Sequence, residues 1–193
     1  MTGPDLFDTR VLAFLRACRE EAAQFPGKIY GNKITTEHLQ GLEDHNAANP
    51  AAKIDVLDLF FNRHMKGRKI VFVLRDGRTC VRSKVSRTGQ SVELACARWR
   101  YSAEVYRFLT SRHDNRICVR FEDLLLDPAR TLGAVCSFLG VAFQESMLRG
   151  TGNDKLRPEY RQPRLDTSRL GLDDIPAGCL ELIRDDLERC GYV

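Results

Sequence analysis

Residues of types suited to binding anions follow a short apolar run near the middle of the chain. The run Ile70–Leu74 ends on Arg75, and Thr79, Ser83 and Arg87 follow at intervals of four. Guanidinium groups bind phosphate oxygens in bidentate fashion, and a serine adds one directed hydrogen bond. If a helix begins within this segment, the three later residues lie one turn apart on one face. The spacing therefore indicates a site for a phosphate dianion.

The same residues also fit a purely structural role. Basic helix faces are usually solvated surface, and Arg75 could pair with Asp76 or Glu122 instead of with a ligand. Spacing alone leaves both interpretations open. They differ in whether Arg75 and Ser83 converge on one anionic group at the end of a strand.

The elements that would position these residues alternate between helices and apolar strands. Periodicity and capping signals predict helices over residues 6–23, from 35 or 36 to the Asn-Pro break at 49–50, over 54–65, from 78 onward, and over 91–110, 128–139 and 173–190, with strands over 28–30, 69–74 and 117–120. The strand 69–74 is apolar throughout, as in strands buried on both faces. The alternation predicts an α/β fold with a parallel sheet. Because sheets commonly have about four to six strands, we expect one strand to be missing.

Arg75 occupies the position at which such sheets bind ligands. In an open parallel sheet, ligands lie beyond the carboxyl ends of the strands. Arg75 is the last residue of its predicted strand, so it sits at that edge.

Composition bounds the class of protein. No run approaches the ~20 apolar residues of a membrane span, and the acidic start MTGPDLFDTR is not a secretory signal, so we expect a cytoplasmic protein. The odd number of 7 cysteines, without CxxC spacing, predicts reduced core thiols, and 4 histidines without HxxxH spacing argue against a metal site. A net charge of +4 without interleaved aromatic residues argues against nucleic acid as a partner.

Several segments, in order along the chain, carry a family resemblance. They are GNKIT at 31–35, RDGR at 75–78 with the later Ser83 and Arg87, Trp99, VRFEDLLLDPARTLGAVCSFLGV at 119–141, YRQPRLDTSRLG at 160–171 and CGY at 190–192. Together they resemble sulfotransferases that use 3′-phosphoadenosine-5′-phosphosulfate (PAPS), and most closely the tyrosylprotein sulfotransferases and their bacterial relatives. One departure is Ile34-Thr35, which stands where the family usually has a Thr-Pro or Asp-Pro pair.

The resemblance implies a role for each matching residue in the nucleotide site. Arg75 and Ser83 would hold the 3′-phosphate of PAPS, and Arg87 would add positive charge. Phe121 stands where the family often has a tyrosine near the nucleotide, although core packing is the favoured explanation. The segment 160–171 resembles the loop that closes over the nucleotide in the family, and we call it the closing loop. Two further arginines in it would reach phosphate, namely Arg164 and Arg169.

Lys33 is the catalytic residue that the resemblance implies. It matches the lysine that stabilises charge on the transferring sulfuryl group, a reasonable role because in-line transfer needs a cation near the bridging oxygen. The alternative is an exposed loop lysine with no chemical role. We expect no metal cofactor, because lysine and arginine would supply the positive charge.

One part of the family pattern has no counterpart in residues 1–68. Sulfotransferases begin with a strand and a loop of the form G-x-x-R-S-G-T-T, whose backbone N–H groups cradle the 5′-phosphosulfate. We therefore expect a P-loop-NTPase-like three-layer fold that lacks its first strand, as a single, N-terminally truncated sulfotransferase domain over 1–193. The chain is either the C-terminal portion of an enzyme, which we favour, or a protein that kept only nucleotide or anion binding. Either hypothesis puts the activity of the chain by itself in question.

The leading functional hypothesis is transfer of a sulfuryl group from PAPS to an acceptor hydroxyl. The acceptor is a small molecule, a carbohydrate or a tyrosine, and neither it nor the catalytic base is readable from the sequence. The alternatives are a non-catalytic module that binds 3′,5′-ADP (PAP) or another anion, and a P-loop-type kinase relative. The absence of G-x-x-x-x-G-K-[ST] counts against the kinase.

Overall fold

The structure, a computed structural model, describes residues 4–149 and 167–192, with side chains from residue 7 onward. The helices are α1 Pro4–Ala23, α2 Thr36–Gln40, α3 Asp44–Ala48, α4 Val56–Asp58, α5 Gly77–Thr88, α6 Val92–Arg112, α7 Phe121–Leu126, α8 Pro128–Leu139 and α9 Cys179–Arg189, and the strands are β1 Ile70–Leu74 and β2 Arg116–Arg120. A π-helical segment, Leu59–His64, continues α4, and 3-10 turns cover Glu145–Leu148 and Thr167–Leu170. The chain divides into two compact units, Met1–Arg68 and Lys69–Val193. The prediction of a single domain over 1–193 stays a prediction.

The described part of the first unit is helical. One face of α1 is buried, as its apolar spacing predicts, through Phe7, Val11 and Leu15. The π-helical segment joins this core, and Nε2 of His64 lies 2.8 Å from Oδ1 of Asp8 on α1. The unit therefore has its own apolar core and its own polar tie between distant segments.

The strand predicted over 28–30 is wrong. Lys28 lies in a bend, while Ile29 and Tyr30 have irregular backbone and Ile29 is exposed. A three-residue strand needs a neighbour to satisfy its backbone N–H and C=O groups, and the described regular structure of this unit is helical. The short apolar pair Ile29-Tyr30 is therefore part of a loop between α1 and α2.

A parallel sheet of two strands lies in the second unit. β1 pairs with β2 in the register Val71↔Ile117 and Val73↔Val119, which confirms the predicted α/β class with a parallel sheet. Helices α5, α6 and α9 supply the core against this sheet, with the residues Leu74, Val81, Ala95, Cys96, Trp99, Ala103, Cys179, Ile183, Leu187 and Cys190.

The prediction that β1 is buried on both faces is wrong. Side chains alternate across a strand, so Phe72 and Leu74 face the core while Val71 and Val73 face the other way. Val71 is 40% exposed and Val73 is 49% exposed. One side of the sheet thus carries apolar side chains that the described residues leave partly uncovered.

The last helix begins later than its periodicity indicates. α9 starts at Cys179 rather than Asp173, because Pro176 and Gly178 interrupt the segment and Gly178 has φ 76°. Its end is as predicted, since Gly191 has φ 72° and stops the helix. The six residues before Cys179 are consequently free to form a loop.

All seven cysteines are free thiols. Cys96 and Cys136 are buried as predicted, whereas Cys80 and Cys118 are only half-buried. Burial raises the pKa of Cys96 to about 12 and that of Cys118 to about 11. These two thiols stay protonated at neutral pH and are poor nucleophiles.

The part of the chain that the structure describes has neither a cluster of metal-binding side chains nor a helix that could span a membrane. Residues 4–149 and 167–192 contain no group of three or more His, Cys, Asp or Glu side chains able to hold a metal ion. No helix in those ranges is long and apolar enough to cross a bilayer.

Candidate functional site

The corner between β1 and α5 is fixed by its own carboxylates. Asp76 caps α5 by accepting from the backbone N–H of Arg78 at 2.9 Å, and it also pairs with the Arg78 guanidinium at 2.6 Å. Glu122 accepts from the backbone N–H of Asp76 at 2.9 Å. Both acids that could have formed an ion pair with Arg75 therefore have other partners. The corner holds its shape without using the Arg75 side chain.

Trp99 fixes the backbone of Arg75 from the side of the core. It is 1% exposed, and its indole Nε1 donates to the Arg75 carbonyl at 2.8 Å. The ring lies directly against Gly77, where a Cβ atom would come within 2.8 Å of the indole carbons and of Ile183 Cδ1. Only glycine allows this approach, so the glycine of the Arg-Asp-Gly-Arg corner is required by packing.

The Arg75 side chain lies along α5 at the carboxyl end of β1. Its Nε donates to Thr79 Oγ1 at 2.9 Å, and its Nη2 donates to the carbonyl of Arg169 at 3.2 Å. The guanidinium lies over the ring of Phe121, 4.9 Å from its centroid. A planar cation is thus held between a hydroxyl and an aromatic face.

The electrostatic surroundings of Arg75 favour an added anion. Burial lowers the pKa of its guanidinium from the ordinary value, and the charges of Arg169 and Arg82 act in the same direction, against Glu122. The guanidinium stays protonated at neutral pH. The lowered pKa means that its positive charge is incompletely compensated, so a phosphate at this position would be stabilised.

Ser83 and Arg87 extend the row that Arg75 begins. Because α5 is helical over Gly77–Thr88, Thr79, Ser83 and Arg87 lie one turn apart along one face, as predicted. Ser83 is half-buried and Arg87 is exposed. The bond from Arg75 to Thr79 places Arg75 at the start of this row. That one anion contacts Arg75, Ser83 and Arg87 together stays a prediction.

The end of the closing loop (residues 160–171) and the residues after it contact Arg75 and α5 through backbone carbonyls. Arg75 donates to Arg169 O, and Arg82 Nη1 donates to Asp173 O at 2.6 Å. The contact of Arg169 with Arg75 is thus through its carbonyl rather than its guanidinium. Arg164, the other arginine predicted for this loop, lies outside the described residues.

Tyr192, near the end of the chain, completes the rim of the candidate site, by which we mean the residues around the carboxyl end of β1. The Tyr192 hydroxyl lies 3.2 Å from the Leu74 carbonyl and 3.1 Å from Glu122 Oε2. Arg120 stacks on the Tyr192 ring at 4.8 Å, and Arg78 donates to the Tyr192 carbonyl at 3.0 Å. Burial raises the pKa of Tyr192, and Glu122 adds to that shift. Glu122 therefore links the backbone of Asp76 to the Tyr192 hydroxyl.

Lys33 lies in the first unit, in the loop between α1 and α2. Its side chain is exposed and lines a cavity of about 330 Å³. The loop is tied to α1, because the Tyr30 hydroxyl donates to Glu21 at 2.6 Å and Asn32 donates to Tyr30 at 3.4 Å. The residues just before Lys33 are thus tied to α1 by side-chain hydrogen bonds.

The sequence did not indicate two contributors to the rim. Arg82 follows Thr79 by three positions, so the neighbour rule for helices would have placed it beside the predicted row. The contact of Tyr192 with Leu74 spans 118 positions and has no local signal.

A family model and solved structures match the chain. Residues 37–145, more than half of the 193, match the model of the Sulfotransferase family. The matched range contains Arg75, Ser83, Arg87 and Phe121 but not Lys33. No curated protein matches the chain significantly.

Two solved structures share the fold. The sulfotransferase domain from the curacin biosynthetic pathway has a TM-score of 0.57 and 16% sequence identity, over 82% of this chain and 68% of that domain. The sulfotransferase domain from the Synechococcus PCC 7002 olefin synthase has a TM-score of 0.54 and 20% identity, over 83% of this chain and 71% of that domain. At these identities the likeness extends to the fold.

Proposed function

This chain belongs to the sulfotransferase family, and on that premise we propose that it transfers a sulfuryl group from PAPS to an acceptor hydroxyl. Family and fold support sulfuryl transfer in general. PAPS as the donor rests on the observation that a half-buried guanidinium, that of Arg75, lies at the carboxyl end of β1 between Thr79 and Phe121. This position suits the phosphate that distinguishes PAPS from ordinary adenine nucleotides.

Arg75 and Ser83 have complementary roles in binding the 3′-phosphate. The Nη2 bond of Arg75 to a backbone carbonyl is 3.2 Å long, so a dianion is a stronger partner for the same N–H. Phe121 keeps the guanidinium plane fixed, which reduces the ordering that binding requires. Ser83 adds a hydroxyl from the next turn, and Arg87 adds long-range positive charge.

Lys33 is assigned to the transfer step. The acceptor oxygen forms a bond to sulfur while the bond from sulfur to the bridging phosphate oxygen breaks. The electron pair leaves with PAP, and the hydroxyl proton passes to a base. A lysine ammonium near the bridging oxygen stabilises the charge that develops there. The resemblance of the segment GNKIT at 31–35 to the family pattern and the position of Lys33 at the wall of a cavity support this role.

Calorimetry with PAP and 5′-ADP tests the donor. The two nucleotides differ in the 3′-phosphate, so we expect PAP to bind at least about 30-fold more tightly than 5′-ADP. This ratio corresponds to roughly 2 kcal/mol from charge-assisted hydrogen bonds to the 3′-phosphate. Equal affinity for both nucleotides would remove the assignment. Binding of PAP without release of PAP from added PAPS, with 2-naphthol and with 6-hydroxy-2-naphthoate as acceptors, would favour a non-catalytic PAP-binding protein.

Replacement of Lys33 by methionine should lower turnover more than affinity. We expect kcat to fall by about 10²- to 10³-fold, as for loss of one transition-state donor, and the Kd for PAP to change by less than about threefold. PAP release from PAPS measures the first quantity and calorimetry the second. Lys53→Met is the control, because Lys53 is exposed in the same unit and does not line the cavity. A loss confined to PAP affinity would contradict the catalytic role.

A further inference from the structure

An apolar cavity lies within the first unit. Its volume of about 330 Å³ is at the lower end of the roughly 300–1,000 Å³ of small-molecule sites. Five segments form its walls: α1, the loop before α2, α2 itself, the turn after α2, and the π-helical segment. The apolar lining consists of Val11, Phe14, Ile34, Leu39, Leu42 and Phe60. Val11, Leu39 and Phe60 are buried, so the floor is packed and preformed, whereas the other three are half-buried.

The remaining lining residues are polar, and two of them carry positive charge. They are Arg10, Asn32, Lys33 and His38, and none of the described lining residues is acidic. Arg10 and Lys33 are exposed. Arg10 precedes Phe14 by one turn on α1, which places its guanidinium on the same helix face as an apolar wall. An apolar floor with a cationic rim is complementary to a molecule with an apolar body and an anionic group.

His38 contributes a donor to this rim rather than a base. The backbone N–H of Thr35 donates to His38 Nδ1 at 3.2 Å, in the capping box of α2. A backbone N–H can only donate, so Nδ1 accepts and the neutral ring carries its proton on Nε2. The ring therefore offers an N–H, in keeping with Lys33 and Arg10.

We propose that this cavity binds the acceptor of the transfer reaction and selects an acceptor that carries both a hydroxyl and a carboxylate on an apolar body. The proposal rests on the proposed function, which supplies the reaction. Lys33 lies by the acceptor hydroxyl, and Arg10 binds the carboxylate. α1, which carries Arg10, precedes the range matched by the family model, so the family match assigns nothing to it.

Two probes with the same rings and hydroxyl separate the carboxylate from the apolar body. They are 6-hydroxy-2-naphthoate and 2-naphthol, each titrated into the full chain by its own fluorescence, without PAPS. We expect the naphthoate to bind about five- to tenfold more tightly at low salt, the range for one charge-assisted contact at a partly exposed site. Raising the salt concentration should narrow this ratio because mobile ions screen the pair.

Three variants test which residues cause the difference in affinity between the two probes. Arg10→Gln should bring the two affinities to within about twofold of each other while 2-naphthol binding is retained. Arg16→Gln removes the same charge from the same helix at an exposed position outside the lining, and should leave the ratio unchanged. Leu42→Trp fills the cavity and should weaken both probes. If Leu42→Trp fails to fold, the two surface variants still decide the question.

Three results would overturn the proposal: no binding of either probe, equal binding of both, or an unchanged ratio in Arg10→Gln. PAP titration of the same samples separates this failure from failure of the proposed function. PAP binding without naphthoate binding would reject the acceptor site and leave the transferase assignment. Naphthoate binding that depends on Arg10, without any PAP binding, would reject the acceptor role and the transferase assignment together.

Discussion

A chain in which alanine replaces Arg75 should bind PAP about 30- to 700-fold more weakly than the unaltered chain, a loss of roughly 2–4 kcal/mol. The guanidinium is half-buried, and its charge is only partly compensated by its surroundings. Without it, a bound dianion would lose its charged partner in a site of restricted hydration. Calorimetry with PAP measures the loss, and 5′-ADP, which has no 3′-phosphate, should bind both chains alike.

Three variants test the cause of this effect. Arg75→Lys keeps the charge but loses the planar fork, so it should recover only part of the affinity. Ser83→Ala should lose less, about 1 kcal/mol, for one neutral donor. Arg130→Ala is the charge-matched control, because Arg130 pairs with Asp127 on the exposed face of α8. Unchanged PAP affinity in a folded Arg75→Ala chain would end the assignment of the 3′-phosphate site.

Replacement of Trp99 by alanine should reduce the free energy of unfolding by about 3–5 kcal/mol. The indole is 1% exposed, and its removal leaves a cavity as well as an unpaired Arg75 carbonyl. Trp99→Phe keeps most of the ring and should cost about 1–3 kcal/mol, chiefly for the lost hydrogen bond. Urea unfolding should be followed by circular dichroism, because Trp99 is the one tryptophan in the chain.

Gly77, which lies against the Trp99 indole, provides a second test of this contact. Gly77→Ala adds a methyl group against the indole, and overpacking of this kind costs about 1–3 kcal/mol. Gly133→Ala adds the same group in α8, where no atom beyond its chain neighbours and the helix's own backbone lies within 4 Å of the new Cβ, and should be neutral or stabilising by up to about 1 kcal/mol. Stabilisation by Gly77→Ala would show that the indole does not pack as described.

Local signals sufficed for both strands of the second unit, for the start of α8 and for the position of Arg75. The apolar runs ending at Leu74 and Arg120 predicted β1 and β2, and the Asp127-Pro128 pair predicted the start of α8. The rule that ligands lie beyond the carboxyl ends of parallel strands then located Arg75 at the edge where the structure has it. These inferences need only neighbouring residues and one general property of sheets.

Features that depend on distant partners were beyond the sequence. An apolar strand has the same sequence pattern whether one face or both faces are covered, so the sequence could not predict the exposure of Val71 and Val73. The approach of Trp99 to Gly77 joins residues on two helices. The cavity in the first unit combines α1 with the π-helical segment, and no motif links them. Tertiary packing decides each of these cases.

The contact of Tyr192 with Leu74 has a consequence for the order of events during synthesis. The two residues are 118 positions apart, so β1 leaves the ribosome long before the tyrosine that closes its rim. Domains fold as units once their sequence has emerged, at about 5–20 residues per second, so the nascent chain carries an unfinished edge for several seconds. During that interval the exposed apolar strand is open to wrong pairing, and the need for chaperones should therefore last until Tyr192 has emerged.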